Sequence, residues 1–120
     1  MEAASSELEA RSVEQLGDAL RSNVGRALEV RDEVVEQVLV ALLARGHTLI
    51  EDRPGVGKTA LARAFARSIR ADFSRIQCTA DLLPADVVGA MVFNQREARF
   101  EFHPGPLFAN VVLVDEINRA

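Results

Sequence analysis

A chain of 120 residues with 18 acidic and 14 basic side chains carries a net charge of −4, and its length suits one globular domain. Hydrophobic residues make up 48% and charged residues 27%, ordinary usage that excludes a disordered, collagen-like or disulfide-scaffold chain. The longest uninterrupted apolar stretch, Val38 to Ala44, is far short of the roughly 18 to 20 residues that a membrane span needs, so no membrane span is expected. The start, Met1-Glu2-Ala3-Ala4-Ser5, lacks the basic and apolar regions of a secretory signal, and a cytoplasmic location is expected. The single cysteine, Cys78, reads as a small buried hydrophobe, and His47 and His103 lack ligand spacing. An acidic balance without Trp or Tyr removes the usual electrostatic footprint of a nucleic-acid binder, and no nucleic-acid partner is expected.

The sequence divides near Gly46 into a charged helical front and a strand-rich rear. Val13, Leu16, Leu20 and Val24 recur at helical steps, with Ser6/Glu9 and Ser12/Gln15 as two candidate capping boxes. A second helix is marked by the face Val34, Val35, Val38, Leu39, Leu42 and Leu43, by acidic Asp32 and Glu33 at its start, and by Gly46 as its stop. Thr48-Leu49-Ile50 reads as a short buried strand, followed by a turn with Pro54 and Gly55 and a helix from Lys58 to about Arg70. In that helix Leu61, Phe65 and Ile69 share an apolar face, while Arg63, Arg67 and Arg70 form a solvated one. Phe73 to Thr79 reads as a strand, and Pro84 and Gly89 punctuate a loop with one helical turn. Met91–Phe93 and Arg99–Phe102 flank a polar centre as a hairpin. After a short helical piece, Val111 to Val114 suits a strand covered on both faces.

Two segments carry chemistry. Asp52-Arg53-Pro54-Gly55-Val56-Gly57-Lys58-Thr59 fits G-x-x-x-x-G-K-[ST] at every defined position but the first, where Asp52 replaces glycine. Such a loop turns backbone N–H groups towards phosphate, which requires φ-permissive residues such as Gly55 and Gly57, and the following helix adds its positive end. Pro54, Gly55, Val56, Gly57, Lys58, Thr59 and Ala60 are therefore the candidate nucleotide-binding residues. Lys58 would contact the β- and γ-phosphates, and Thr59 would offer its hydroxyl to Mg²⁺.

The second segment, Val111-Val112-Leu113-Val114-Asp115-Glu116, ends four apolar strand formers in two acids, as a metal- and water-handling site at the carboxyl end of a parallel strand requires. Asp115 is the second candidate metal residue, acting on the hydration shell of Mg²⁺. Glu116 is the candidate catalytic residue beside Lys58, orienting and polarising the attacking water.

These segments, together with Asp81-Leu82-Leu83-Pro84-Ala85-Asp86-Val87-Val88-Gly89 and Phe102-His103-Pro104-Gly105-Pro106-Leu107-Phe108-Ala109-Asn110, closely resemble the MoxR family of AAA+ ATPases over roughly residues 20 to 120. The hairpin around Asn94 to Arg99 resembles the insertion in the second helix that marks this branch, where it faces the central pore. Near the adenine site the family usually has Val-Gly; this chain has Glu29-Val30, and no adenine contact is assigned, because β-branched Val30 cannot replace a glycine that allows close approach of the base without moving the backbone or the base.

The resemblance implies an α/β fold, a P-loop NTPase three-layer sandwich with N-terminal helices, divided as a helical segment over 1–25 and a partial nucleotide-binding domain over 26–120. The family's sheet order is 5-1-4-3-2, and the strand between those carrying the loop and Asp115 is not encoded in these residues. An incomplete parallel sheet is expected, its gap about two strand spacings, roughly 9 to 10 Å. The implied function is Mg²⁺-dependent ATP hydrolysis driving protein remodelling or metal-cofactor insertion. The family works as a homo-oligomeric ring, with protein clients and a metal-binding von Willebrand A-type partner. The 120 residues alone are expected to behave as a fragment with little turnover. A non-catalytic nucleotide-binding module, another P-loop phosphotransferase and a purely structural helix-pairing protein are the alternatives.

Overall fold

Helix formers such as Glu, Ala, Leu, Gln and Arg, interrupted by Ser, Asp, Asn, Val and two glycines, make up α1, Glu2–Ala27, in a computed structural model that describes residues 2–51 and 57–120, with side chains from residue 14 onward. The helix passes straight through Ser6 and Ser12, so neither serine starts a helix as the capping boxes suggested: Glu, Ala, Leu and Arg on both sides favour continuation. Asp32 and Glu33 open α2, Asp32–Leu43. Gly46 then follows Arg45, whose φ of 54° is left-handed, and its N–H donates to the Ala41 carbonyl at 2.8 Å. The third helix, α3, spans Lys58–Ser68.

The chain forms two compact units, residues 1–69 and 70–120. In the first, the three helices meet through Leu20 and Val24 of α1, Val35 and Leu39 of α2, and Leu61 and Phe65 of α3, all at most 5% exposed. Each such side chain contributes about 1.5–3 kcal/mol by leaving water. Leu16, one position up the same stripe, is half exposed, so the apolar face of α1 is buried only towards its C-terminal end. Val13 lies outside the described side chains. Arg63, Arg67 and Arg70 lie on the exposed side as expected.

The second unit is built on strands. β1, Phe73–Gln77, pairs in parallel with β4, Val111–Asp115, from Phe73 opposite Val111 to Gln77 opposite Asp115. The ladder extends at both ends, where the Val111 N–H donates to the Asp72 carbonyl and the Cys78 N–H to the Asp115 carbonyl, each at 2.9 Å. Cys78 is buried, as its sequence setting implied. Between these strands come α4, Pro84–Val88, and a hairpin of β2, Gly89–Asn94, with β3, Arg99–Pro104. The Asp86 carboxylate accepts the Leu83 N–H at 2.9 Å and closes the start of α4. At the hairpin base a Cβ on Gly89 would lie 2.1 Å from the His103 carbonyl oxygen, and one on Gly105 would lie 2.4 Å from that of Val87. Both positions therefore exclude every side chain, and Gly89 also has φ +93°.

Three expectations are corrected. Thr48-Leu49-Ile50 is not a buried strand: it joins no ladder among the described residues, and Leu49 is 77% exposed. A strand needs a partner for its peptide groups, and β-forming side chains alone do not supply one. The stretch after Gly105 forms turns rather than a helical piece. β4 is half-buried, with Val114 42% exposed, rather than covered on both faces. The α/β class and the parallel pairing of the strands at 73–77 and 111–115 agree with the sequence reading. No helix among the described residues is long and apolar enough to cross a membrane.

Candidate functional site

Gly57 precedes α3 with φ 86° and ψ 24°, the left-handed region. No described residue lies within 4 Å of a Cβ built there, and the positive φ by itself favours glycine. From this turn the chain enters the helix directly, and the Leu61 N–H closes the first turn on the Gly57 carbonyl at 2.9 Å. Among the described residues no side chain caps this start, and no acidic residue in the first turn offsets its partial positive charge. Lys58, Thr59 and Ala60 stand together here, with Lys58 and Thr59 partly buried. Pro54, Gly55 and Val56, the other candidate loop residues, and Asp52 lie outside the described residues.

Beside this helix start is a cleft of about 200 Å³. Val30 from the link between α1 and α2, Val34 of α2, Ile50 and Leu61 supply apolar wall, Glu29 and Arg31 beside Val30 add charged groups to the lining, and Gly57 and Lys58 border it. Val34, Ile50 and Leu61 were readable in the sequence as apolar positions of their elements, but no spacing rule joins residues 30, 34, 50 and 61. Val30 lines the cleft in the very segment where no base contact could be assigned. Its branched side chain forms wall where glycine would have left open backbone.

In the second unit, Asp115 ends β4 and Glu116 follows in the left-handed region at φ 55°. For a non-glycine residue that conformation costs of order 1 kcal/mol, and it turns the chain sharply at the strand end. Both Asp115 carboxylate oxygens are engaged: Oδ2 accepts from Arg75 Nη2 at 2.6 Å, and Oδ1 accepts the Glu116 N–H at 3.0 Å. Glu116 in turn pairs with Arg119 at 3.4 Å. Arg75 had drawn no attention in the sequence, because its link to Asp115 crosses 40 residues and depends on the parallel register.

Taken by itself, each unit offers an oxygen donor of the kind a hard cation takes: the Thr59 hydroxyl at the start of α3, and the Asp115 carboxylate at the end of β4.

The sequence profile of the ATPase family associated with various cellular activities (AAA) matches residues 47–120. The uncharacterised protein YeaC of Bacillus subtilis is 51% identical over 104 residues, which cover 87% of this chain and 32% of that protein. Chaperone MoxR1 of Mycobacterium tuberculosis is 46% identical over 97 residues, 81% of this chain and 26% of its own. A crystal structure of a “putative ATPase” from Cytophaga hutchinsonii superposes with a TM-score of 0.85 at 35% identity, over 99% of this chain and 36% of that one. The chain thus spans about a third or less of the curated relatives it matches. By the profile match across its loop and strand-end segments, and by its similarity to proteins named MoxR, the chain belongs to the AAA family of ATPases, within the MoxR group.

Proposed function

We propose that these residues bind Mg·ATP, and that the whole protein hydrolyses it to remodel partner proteins, as the name of the chaperone relative suggests. The observation that carries this reading is the left-handed Gly57 leading into a helix start at Lys58 and Thr59 that no described side chain caps, with a partly apolar cleft alongside. A triphosphate on the helix start is favoured by its partial positive charge and by Lys58. The cleft would take the base between Val30, Val34, Ile50 and Leu61, burying its ring faces against apolar wall, with Glu29 and Arg31 also lining the space. Pro54, Gly55 and Val56 complete the loop in this reading.

Thr59 and Asp115 would serve Mg²⁺, Thr59 through its hydroxyl and Asp115 as acceptor for the ion's water ligands. When bound, the ion neutralises charge developing on the transferred phosphoryl group. Glu116 would hold the attacking water and take up its proton as the bond from the water oxygen to the γ-phosphorus forms and the bond from that phosphorus to the bridging oxygen of ADP breaks, so that ADP leaves with the bridging oxygen. In the whole protein a homo-oligomeric ring, a cytoplasmic site of action, protein clients and metal-cofactor insertion with a von Willebrand A-type partner belong to the same proposal. The 120 residues by themselves are expected to bind nucleotide with little turnover.

Titration with Mg·ATP tests the reading. Lys58→Ala should weaken binding by about 10- to 100-fold, the worth of a charge-assisted phosphate contact. Glu116→Gln should leave binding intact and lower whole-protein turnover by about 10²- to 10⁴-fold. A wild-type chain indifferent to Mg·ATP would end the proposal.

A further inference from the structure

The acids at the end of β4 do not stand as an open dianion. Arg75 lies opposite Leu113 in the parallel ladder, so it shares a sheet face with Asp115, two residues further along β4. Its neighbour Ile76 points to the opposite face and is 5% exposed. From that position the guanidinium reaches Asp115 Oδ2 at 2.6 Å, while the Glu116 N–H holds Oδ1 at 3.0 Å. The carboxylate is thereby fixed at both oxygens. The pair is only partly exposed, 41% for the Arg75 side chain and 25% for Asp115. Arg119 stands 3.4 Å from Glu116, so two cations match the two acids.

A divalent ion approaching Asp115 therefore meets an oriented acceptor whose charge is already balanced. The water-mediated role proposed for Asp115 needs orientation far more than it needs free charge. A direct metal ligand would need the reverse. We propose that Arg75 is a positioning residue for Asp115: it sets the carboxylate plane and, as an internal counter-cation, suppresses divalent-ion binding until a polyphosphate brings its own negative charge. This inference rests on the Mg·ATP reading and adds to it the condition under which metal is taken up.

The test is Mn²⁺ broadening of the Glu116 amide resonance in the full ¹⁵N-labelled chain without nucleotide, followed by ADP addition. Removing the guanidinium in Arg75→Met should lower the Mn²⁺ concentration for half-broadening on the order of tenfold, the scale expected for one unit charge a few ångströms from a divalent ion in a largely aqueous setting. Arg75→Lys, which keeps the charge, should stay within about twofold of wild type on the same grounds. The gain should vanish when Arg75→Met is combined with Asp115→Asn, which removes the carboxylate the arginine balances. A purely structural arginine would leave Mn²⁺ affinity unchanged or weaken it, and either result in a folded Arg75→Met chain overturns the inference. Should Arg75→Met fail to fold, Arg75→Gln gives the same reading, because it also removes the charge. ADP-induced shifts at Gly57 to Ala60 in wild type report on nucleotide binding separately. If they occur while broadening is unaltered by Arg75→Met, only the role of Arg75 falls; if they are missing, the nucleotide reading falls, and the purpose assigned to Arg75 falls with it.

Discussion

The two units hold themselves together by different means. In residues 1–69 the buried apolar side chains of three helices interlock, whereas in residues 70–120 only Ile76 and Cys78 are buried apolar residues among those described. The second unit relies instead on main-chain pairing: the β1–β4 ladder, the β2–β3 hairpin, and the backbone-to-backbone contact of Gly89 and Gly105. Its large side chains are notably exposed. Phe93 packs edge-on against Phe100 with ring centres 5.2 Å apart, and Phe102 against Phe108 at 5.7 Å, yet all four rings are at least 49% exposed. Register places Met91, Phe93, Phe100 and Phe102 on one face of the hairpin. The segment bearing Lys58 and Thr59 is thus fixed by packing, and the one bearing Asp115 and Glu116 by hydrogen-bonded register.

That contrast can be broken most forcefully in the first unit. Phe65→Ala, at a site 4% exposed, should cost about 3–5 kcal/mol by denaturant unfolding, combining lost burial with a cavity. A smaller loss follows in the second unit from Gly105→Ala. Its new Cβ would sit 2.4 Å from the Val87 carbonyl oxygen, and the backbone must shift at a cost of about 1–3 kcal/mol. Hydrogen exchange should then rise in β2 and β3 ahead of the three helices; uniform acceleration across both units would contradict the division.

The smallest effect sharpens the picture of the loop after β1. The Thr79 hydroxyl donates to Asp81 Oδ1 at 2.6 Å and, aided by the residue's own backbone N–H, holds the Asp81 carboxyl below its ordinary value. The folded form is thus the stronger acid. Its contribution to stability is present above the ordinary aspartate range and is lost as pH falls through the lowered value. Thr79→Val should return Asp81 towards the ordinary value in a carboxyl NMR titration while leaving the melting temperature almost unchanged, since the pair is exposed.

The helices were legible because periodicity is local: Val35, Leu39, Leu61 and Phe65 all fall on the faces that the sequence marks as apolar, and all are buried. The strand read over 73–79 is legible from alternation and forms at 73–77, the one read over 111–114 is legible from its continuous apolar run and forms at 111–115, and the hairpin is legible from the polar centre between its two β-prone stretches. The misreading at 48–50 has the opposite origin, since apolar β-formers announce a strand whether or not a neighbour pairs with them. Of the candidate residues, Gly57, Lys58 and Thr59 in the first unit and Asp115 and Glu116 in the second are named by motif chemistry. The apolar cleft and Arg75 were not, because each joins residues whose proximity no spacing encodes.

The sequence by itself determined the helices, the glycine that must turn left-handed before Lys58, and the acids that end an apolar strand, since these depend on side-chain period and backbone freedom within a few residues. Only tertiary structure decided that Arg75 meets Asp115 and that Val30 and Ile50 share a cleft. Contacts of that kind are fixed by strand register and helix packing, which sum many weak terms over distant parts of the chain.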